Sequence, residues 1–132
     1  MFQPDAEAAP AEARRTLQDD RLRDLVRRLA GCGQPFWTER LADVTPDDVD
    51  GVDHLDTLPF TAKVDLRDTY PFGMLAVDRD ATVRVHASSG TSGKPTIVAY
   101  TARDVEIFAE VVARSIACAG GRATDVLHVA YG

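Results

Sequence analysis

With 132 residues, 45% of them apolar, the chain can bury one modest hydrophobic core but not two. Its net charge of −6 argues against a general nucleic-acid binder, which normally carries a basic patch or stripe. No apolar run approaches the roughly 18 residues that cross a bilayer, and the start lacks the pattern of a signal peptide. Composition therefore predicts a soluble cytoplasmic protein with neither a nucleic-acid nor a membrane partner.

The two cysteines, Cys32 and Cys118, are far apart in the sequence and belong to no CxxC or Cys/His cluster. Reduced, buried thiols fit this spacing better than a disulfide framework or a zinc site. The sequence therefore predicts no metal centre.

The first half of the chain is predicted to be helical. Residues 1–10 are rich in Ala, Pro and acids and predict a mobile tail. Residues 11–30 place leucine and valine at helical spacing, with Gly31 as the stop. A second short helix is expected over residues 35–44, with Trp37 packed inward, a third after a cap at Thr45, and a fourth after a cap at Thr61.

Two extended segments follow. Residues 82–88 read TVRVHAS, in which Val83, Val85 and Ala87 alternate with polar residues, as in a strand with one buried face. Residues 96–101 read TIVAYT and can pair with the first segment as a hairpin whose connection is unusually long.

A helix and a further strand are expected after the hairpin. Thr101 and Asp104 form a capping-box pattern before an apolar helical stripe that ends at Gly120 and Gly121. Residues 126–131 read VLHVAY, which is typical of a strand covered on both faces. The predicted fold class is α/β: N-terminal helices, a β-hairpin and a strand-helix-strand unit with a right-handed parallel crossover.

The hairpin connection has the composition of an anion site. Residues 88–96 read SSGTSGKPT, which offers hydroxyls, one ammonium and unhindered backbone N–H groups. Residues 81–103 contain no acid, although they hold Arg84, Lys94 and Arg103. The segment matches neither a Walker loop, nor a dinucleotide fingerprint, nor a hydrolase elbow. A flexible Ser/Gly linker is the structural alternative.

The SSGTSGKPT segment resembles the phosphate-binding loop of the adenylate-forming enzymes, the superfamily of acyl-CoA synthetases. Two flanking blocks, LPFTAKVDLRDTYPFG and the downstream helix closing in HVAYG, are similar to its phenylacetate-CoA ligase branch. The resemblance implies that residues 11–132 form the N-terminal portion of an AMP-binding domain, truncated at its C-terminal end. It also implies a ligase that joins a carboxylic acid, aromatic in this branch, to coenzyme A with ATP and Mg²⁺.

The resemblance assigns residues to binding roles only. It implies that ATP phosphates are bound by Ser88, Ser89, Gly90, Thr91, Ser92, Gly93 and Lys94, and that Tyr131 contacts the acid substrate. A packing role for Tyr131 at the end of a strand is the alternative. No catalytic or metal-binding residue is assigned, because the family's catalytic lysine and adenine- and ribose-binding motifs have no counterpart here.

Three functions remain open from the sequence. The first is part of a phenylacetate-CoA-ligase-like enzyme, inactive alone and associated with the missing remainder. The second is a remnant that binds a nucleotide or phosphate without turning it over. The third is an oligomerising stub, such as a homodimer, whose unfinished sheet pairs with another copy.

Overall fold

The computed structural model describes residues 2–88 and 95–130. Its elements in chain order are α1 (Pro4–Glu7), α2 (Ala11–Gly31), α3 (Pro35–Arg40), α4 (Lys63–Asp68), β1 (Thr82–Ser88), β2 (Thr96–Thr101) and α5 (Ala102–Cys118). Short 3₁₀ helices connect them at Pro46–Asp48, Val52–Thr57 and Arg79–Ala81. The described residues thus combine helices with one two-stranded sheet.

Helix α2 is the base of a helical layer. Its Val26 is only 2% exposed, and Val49, beside the first 3₁₀ helix, is equally well buried. The predicted helix over residues 11–30 is confirmed, although Gly31 still belongs to it. The turn that leaves the helix uses Gly33 instead, whose φ of +72° lies in the left-handed region.

Asp19 ties α2 to the second 3₁₀ helix. Its Oδ1 accepts hydrogen bonds from the backbone N–H of Val52 at 2.9 Å and from Nε of Arg15 at 3.0 Å. The carboxylate can reach this position because Gly51 has no side chain: a Cβ there would lie 2.8 Å from the Asp19 Cβ. Gly51 is therefore required for close approach, not for an unusual backbone angle.

Arg40 and Trp37 join α3 to the segment that precedes the sheet. Arg40 donates from Nη1 to the carbonyl of Phe60 at 2.6 Å and from Nη2 to Oδ1 of Asp65 at 3.1 Å. Trp37 donates from Nε1 to the carbonyl of Met74 at 3.0 Å, so its predicted inward packing includes a hydrogen bond. These bonds position α4, which in turn contacts β2.

The expected cap of α4 at Thr61 is wrong by one residue. The helix begins after Ala62, whose N–H donates to Oδ2 of Asp65 at 2.7 Å. Alanine has no side-chain acceptor, so this half of a capping box comes from the third helical residue alone. The Asp65 carboxylate therefore both caps α4 and accepts a hydrogen bond from Arg40.

Strands β1 and β2 form the predicted antiparallel hairpin. The paired residues run from Thr82 opposite Thr101 to Ser88 opposite Thr96, with an irregularity between Thr82 and Arg84. The expected burial of one β1 face is not found within the described residues, where Val83 and Val85 are exposed. An alternating strand pattern predicts a face to be covered, but it does not supply the covering element.

The expected strand over residues 126–131 is wrong for the residues that the structure describes. Residues 126–130 have no regular structure, and Val126 is 98% exposed. An extended apolar run becomes a strand only when a neighbouring strand pairs with its backbone, and none does so in the described part of the chain. Instead of the predicted strand-helix-strand unit, the described residues form a hairpin, a helix and an irregular segment.

The first ten residues include one helical turn. Glu7 accepts backbone hydrogen bonds from Gln3 at 2.8 Å and from Phe2 at 3.0 Å, and the Gln3 bond is the main reason that the pKa of Glu7 is lowered. The side-chain amide of Gln3 donates to Glu110 of α5. The mobility of this tail stays a prediction.

The close approach of Asp19 to Gly51 predicts the effect of adding one methyl group. Gly51→Ala should lower the free energy of unfolding by about 1–3 kcal/mol, because Asp19 must move away and leave the N–H of Val52 without its partner. Urea denaturation followed by circular dichroism at 222 nm measures this change.

Gly31→Ala is the matched control, since a Cβ at that helical residue meets nothing within 4 Å. It should leave the free energy of unfolding unchanged or raise it. Equal effects of the two substitutions would contradict the role assigned to Gly51.

Candidate functional site

The hairpin brings the two ends of the predicted phosphate loop together. Ser88 is the last residue of β1 and pairs with Thr96, the first residue of β2. Directly opposite residues of an antiparallel pair have Cα atoms roughly 4.5–5.5 Å apart. The intervening segment must therefore leave and re-enter the sheet at nearly the same point.

Most of the predicted site lies outside the described residues. This applies to Tyr131 and to the loop residues Ser89, Gly90, Thr91, Ser92, Gly93 and Lys94. Their binding roles stay predictions. Of the predicted site residues, only Ser88 is described, and it is exposed at the loop end of the hairpin.

Thr96 is a candidate that the sequence-based set of binding residues omits. It is only 7% exposed, and within residues 2–88 and 95–130 its buried Oγ1 has no hydrogen-bond partner. Buried hydroxyls usually have a partner, so an unpaired one directly beside the predicted loop is unusual. The sequence could have indicated Thr96 through its place in the SSGTSGKPT segment, but the spacing of residues in a sequence does not reveal which side chains are buried.

A series of tilted aromatic rings, called the ring stack below, connects the hairpin to α5. The His86 and Tyr100 rings, which lie on adjacent strands, have centroids 4.8 Å apart, and the Tyr100 and Phe108 centroids are 6.4 Å apart. Aromatic pairs at these separations contribute beyond the area they bury. The ring stack therefore links the strands that flank the loop to the helix that follows them.

The N-terminus of α5 is fixed by the predicted capping box. Oγ1 of Thr101 accepts from the N–H of Asp104 at 3.2 Å, and Oδ2 of Asp104 accepts from both the N–H and the hydroxyl of Thr101 at 2.8 Å. The bond from the Thr101 N–H is the main cause of a lowered pKa for the Asp104 carboxyl. Thr101 is also the last residue of β2, so the box sets the angle between strand and helix.

The described charged and titratable side chains of the two strands are basic or neutral. Arg84 and His86 are exposed on β1, whereas Arg103 follows the end of the hairpin away from the loop and forms an exposed pair with Glu106 at 3.1 Å. Over the described ranges, no three His, Cys, Asp or Glu side chains come together as a metal site would require. This electrostatic setting favours an anion over a cation.

An apolar cavity of about 130 Å³ lies between β2 and the segment that includes α4. Its lining includes Leu66, Phe72, Met74, Ile97 and Ala99. It is far smaller than the roughly 300–1,000 Å³ of typical small-molecule sites. We therefore treat it as a packing defect beside the hairpin.

None of the helices in the described ranges combines the length and apolar composition needed to cross a membrane.

Comparison with known proteins gives a consistent result. The chain is 52% identical to the phenylacetate-coenzyme A ligase of Thermus thermophilus, over 100% of this chain and 30% of that protein. It is 51% identical to the phenylacetate-coenzyme A ligase of Aromatoleum evansii and 44% identical to that of Escherichia coli. Each of these two matches covers 96% of this chain and 29% of the relative. No protein-family model matches the chain.

Identity at this level over essentially the whole chain shows that the chain is related to these proteins. The chain belongs to the phenylacetate-coenzyme A ligase family. It spans about 30% of the length of the curated relatives that it matches.

The capping box predicts a pH-dependent contribution to stability. Asp104→Ala should lower the free energy of unfolding at pH 7 by about 1 kcal/mol, because Thr101 loses its acceptor. The folded pKa of Asp104 is below its ordinary value of 3.8, so the contribution is complete above that value and disappears as the pH falls through the folded pKa. Urea titrations of both proteins at pH 7 and at successively lower pH measure the difference.

Thr101→Ser is the control, since it keeps the hydroxyl that accepts from Asp104. Its free energy of unfolding should stay close to that of the wild type. A difference between Asp104→Ala and wild type that persists undiminished at low pH would contradict the pKa argument.

Proposed function

We propose that this chain is part of an ATP-dependent phenylacetate-CoA ligase and supplies its phosphate-binding loop. The observation that carries the proposal is the 44–52% identity to phenylacetate-coenzyme A ligases over 96–100% of the chain. The match to the Thermus thermophilus protein covers the whole chain and therefore includes the SSGTSGKPT segment.

The proposed reaction has two steps. A carboxylate oxygen of the acid attacks the α-phosphorus of ATP, which forms an acyl adenylate and releases pyrophosphate. The sulfur of coenzyme A then attacks the acyl carbon, loses its proton, and displaces AMP to give the thioester. Phenylacetate is the proposed acid, and Mg²⁺ accompanies ATP and offsets the charge of its phosphates.

The loop residues are proposed to surround the β- and γ-phosphates of ATP. Glycines at 90 and 93 permit close backbone approach, hydroxyls of the neighbouring Ser and Thr residues donate to phosphate oxygens, and Lys94 is a compact flexible cation. The pairing of Ser88 with Thr96 supports this proposal, because a short segment closed at its base can direct several N–H groups toward one anion.

We also propose that Tyr131 contacts the acid substrate. The remaining walls of the nucleotide and acid sites are proposed to come from the portion of the ligase that the match leaves out. We use the term complete ligase for an assembly that contains this chain and that remaining portion. We further propose that the domain has the fold of the adenylate-forming enzymes.

Pyrophosphate exchange tests the function directly. The complete ligase should incorporate labelled pyrophosphate into ATP only when phenylacetate is present. Lys94→Ala should reduce this exchange about 10- to 100-fold, the amount expected for losing one charge-assisted contact with phosphate.

Lys63→Ala is a matched control, because Lys63 is the chain's other lysine and lies exposed at the start of α4. It should leave the exchange rate unchanged. No exchange with phenylacetate or with other aryl acids would overturn the proposed function. ATP binding that is weakened by Lys94→Ala, with no exchange under any of these conditions, would favour the nucleotide-binding remnant.

A further inference from the structure

Helix α5 exposes its apolar side. The predicted stripe on this side includes Phe108, which is 52% exposed, together with Val111, Val112 and Ile116. The more sheltered residues of the helix include the charged Glu110 and Arg114, and Glu110 receives the hydrogen bond from Gln3. The apolar side of this amphipathic helix, which usually faces a core, is therefore only partly covered by the described residues.

The stripe lies next to a sheet that also lacks neighbours. Phe108 extends the ring stack from Tyr100, so the apolar side of α5 continues from the hairpin. In the described part of the chain, β1 and β2 pair only with each other. A two-stranded sheet is marginal by itself in water, and its free edges can pair with further strands.

The comparisons indicate what covers this surface. The matches leave about 70% of each relative's length outside the matched region. We propose that the α5 stripe is the docking surface for that remaining portion of the ligase, whether it is joined to this chain or supplied separately. The proposal rests on the proposed function and names the partner of the same site.

Docking on α5 has a consequence for the phosphate loop. The capping box fixes the start of α5 to the end of β2, and the ring stack fixes Phe108 to Tyr100. A partner that seats on the stripe is therefore held in a definite position relative to the hairpin. In this way, one contact surface aligns the loop with the site walls that we propose for the remaining portion of the ligase.

A two-chain binding experiment tests the docking surface. The probe is the portion of the Thermus thermophilus ligase that the match leaves out, produced as a separate polypeptide and mixed with this chain without ATP. The wild-type chain should form a one-to-one complex, as measured by light scattering after gel filtration. Val111→Lys and Val112→Lys should each weaken the complex at least tenfold, because an ammonium would have to be buried without a partner.

Glu106→Gln is the matched control. It raises the net charge by one, as Val111→Lys does, but Glu106 is exposed on the opposite side of α5. It should leave the association unchanged. Far-UV circular dichroism should show equal helix content in all variants, since the substituted residues are exposed.

Two results would overturn the docking proposal. One is no complex between the wild-type chain and the Thermus thermophilus portion, or a complex that the stripe variants do not weaken. The other is a dimer of this chain alone, abolished by the stripe variants, which would assign the surface to a second copy. Because association is measured without ATP, failure of the exchange reaction with docking intact would count against the proposed function only.

Discussion

The antiparallel pairing of β1 with β2 is the constraint on which the proposed site depends. It places Ser88 opposite Thr96, so the segment between them is closed at its base. The two ends of that segment are thereby held close together. Of the residues beside this base, Thr96 is almost fully buried, which fixes the point where the chain re-enters the sheet.

The helical layer supports this hairpin through a few polar contacts. Asp65 caps α4 and accepts from Arg40, and the indole N–H of Trp37 donates to the Met74 carbonyl. These bonds connect α3 to α4, and α4 contacts β2. Each contact contributes only about 1 kcal/mol, so the arrangement depends on several of them acting together.

The sequence predicted the elements better than it predicted their surroundings. The boundaries of α2, β1, β2 and α5 follow from local periodicity, capping residues and glycine stops, all of which are visible within a few residues. The strand expected over residues 126–131 needs a partner strand, and local patterning cannot supply one. The same limit explains why Val83, Val85 and the α5 stripe are exposed although their patterns predict burial.

Other features could not be predicted because they join distant residues. The contact of Asp19 with the backbone beside Gly51 joins residues more than thirty positions apart. It also depends on the absence of a side chain at Gly51. The burial of Thr96 likewise depends on tertiary packing. The candidate phosphate site was recognised from its composition and its family resemblance, whereas the hairpin register that closes it required the structure.

Hydrogen exchange of the backbone amides across residues 88–96 tests the central claim most directly. In the complete ligase, ATP with Mg²⁺ should slow exchange at these amides, while AMP, which lacks the β- and γ-phosphates, should leave it nearly unchanged. Peptides from α2 serve as the internal reference. Identical exchange of the loop with ATP, with AMP and without nucleotide would contradict a phosphate-binding role for this hairpin.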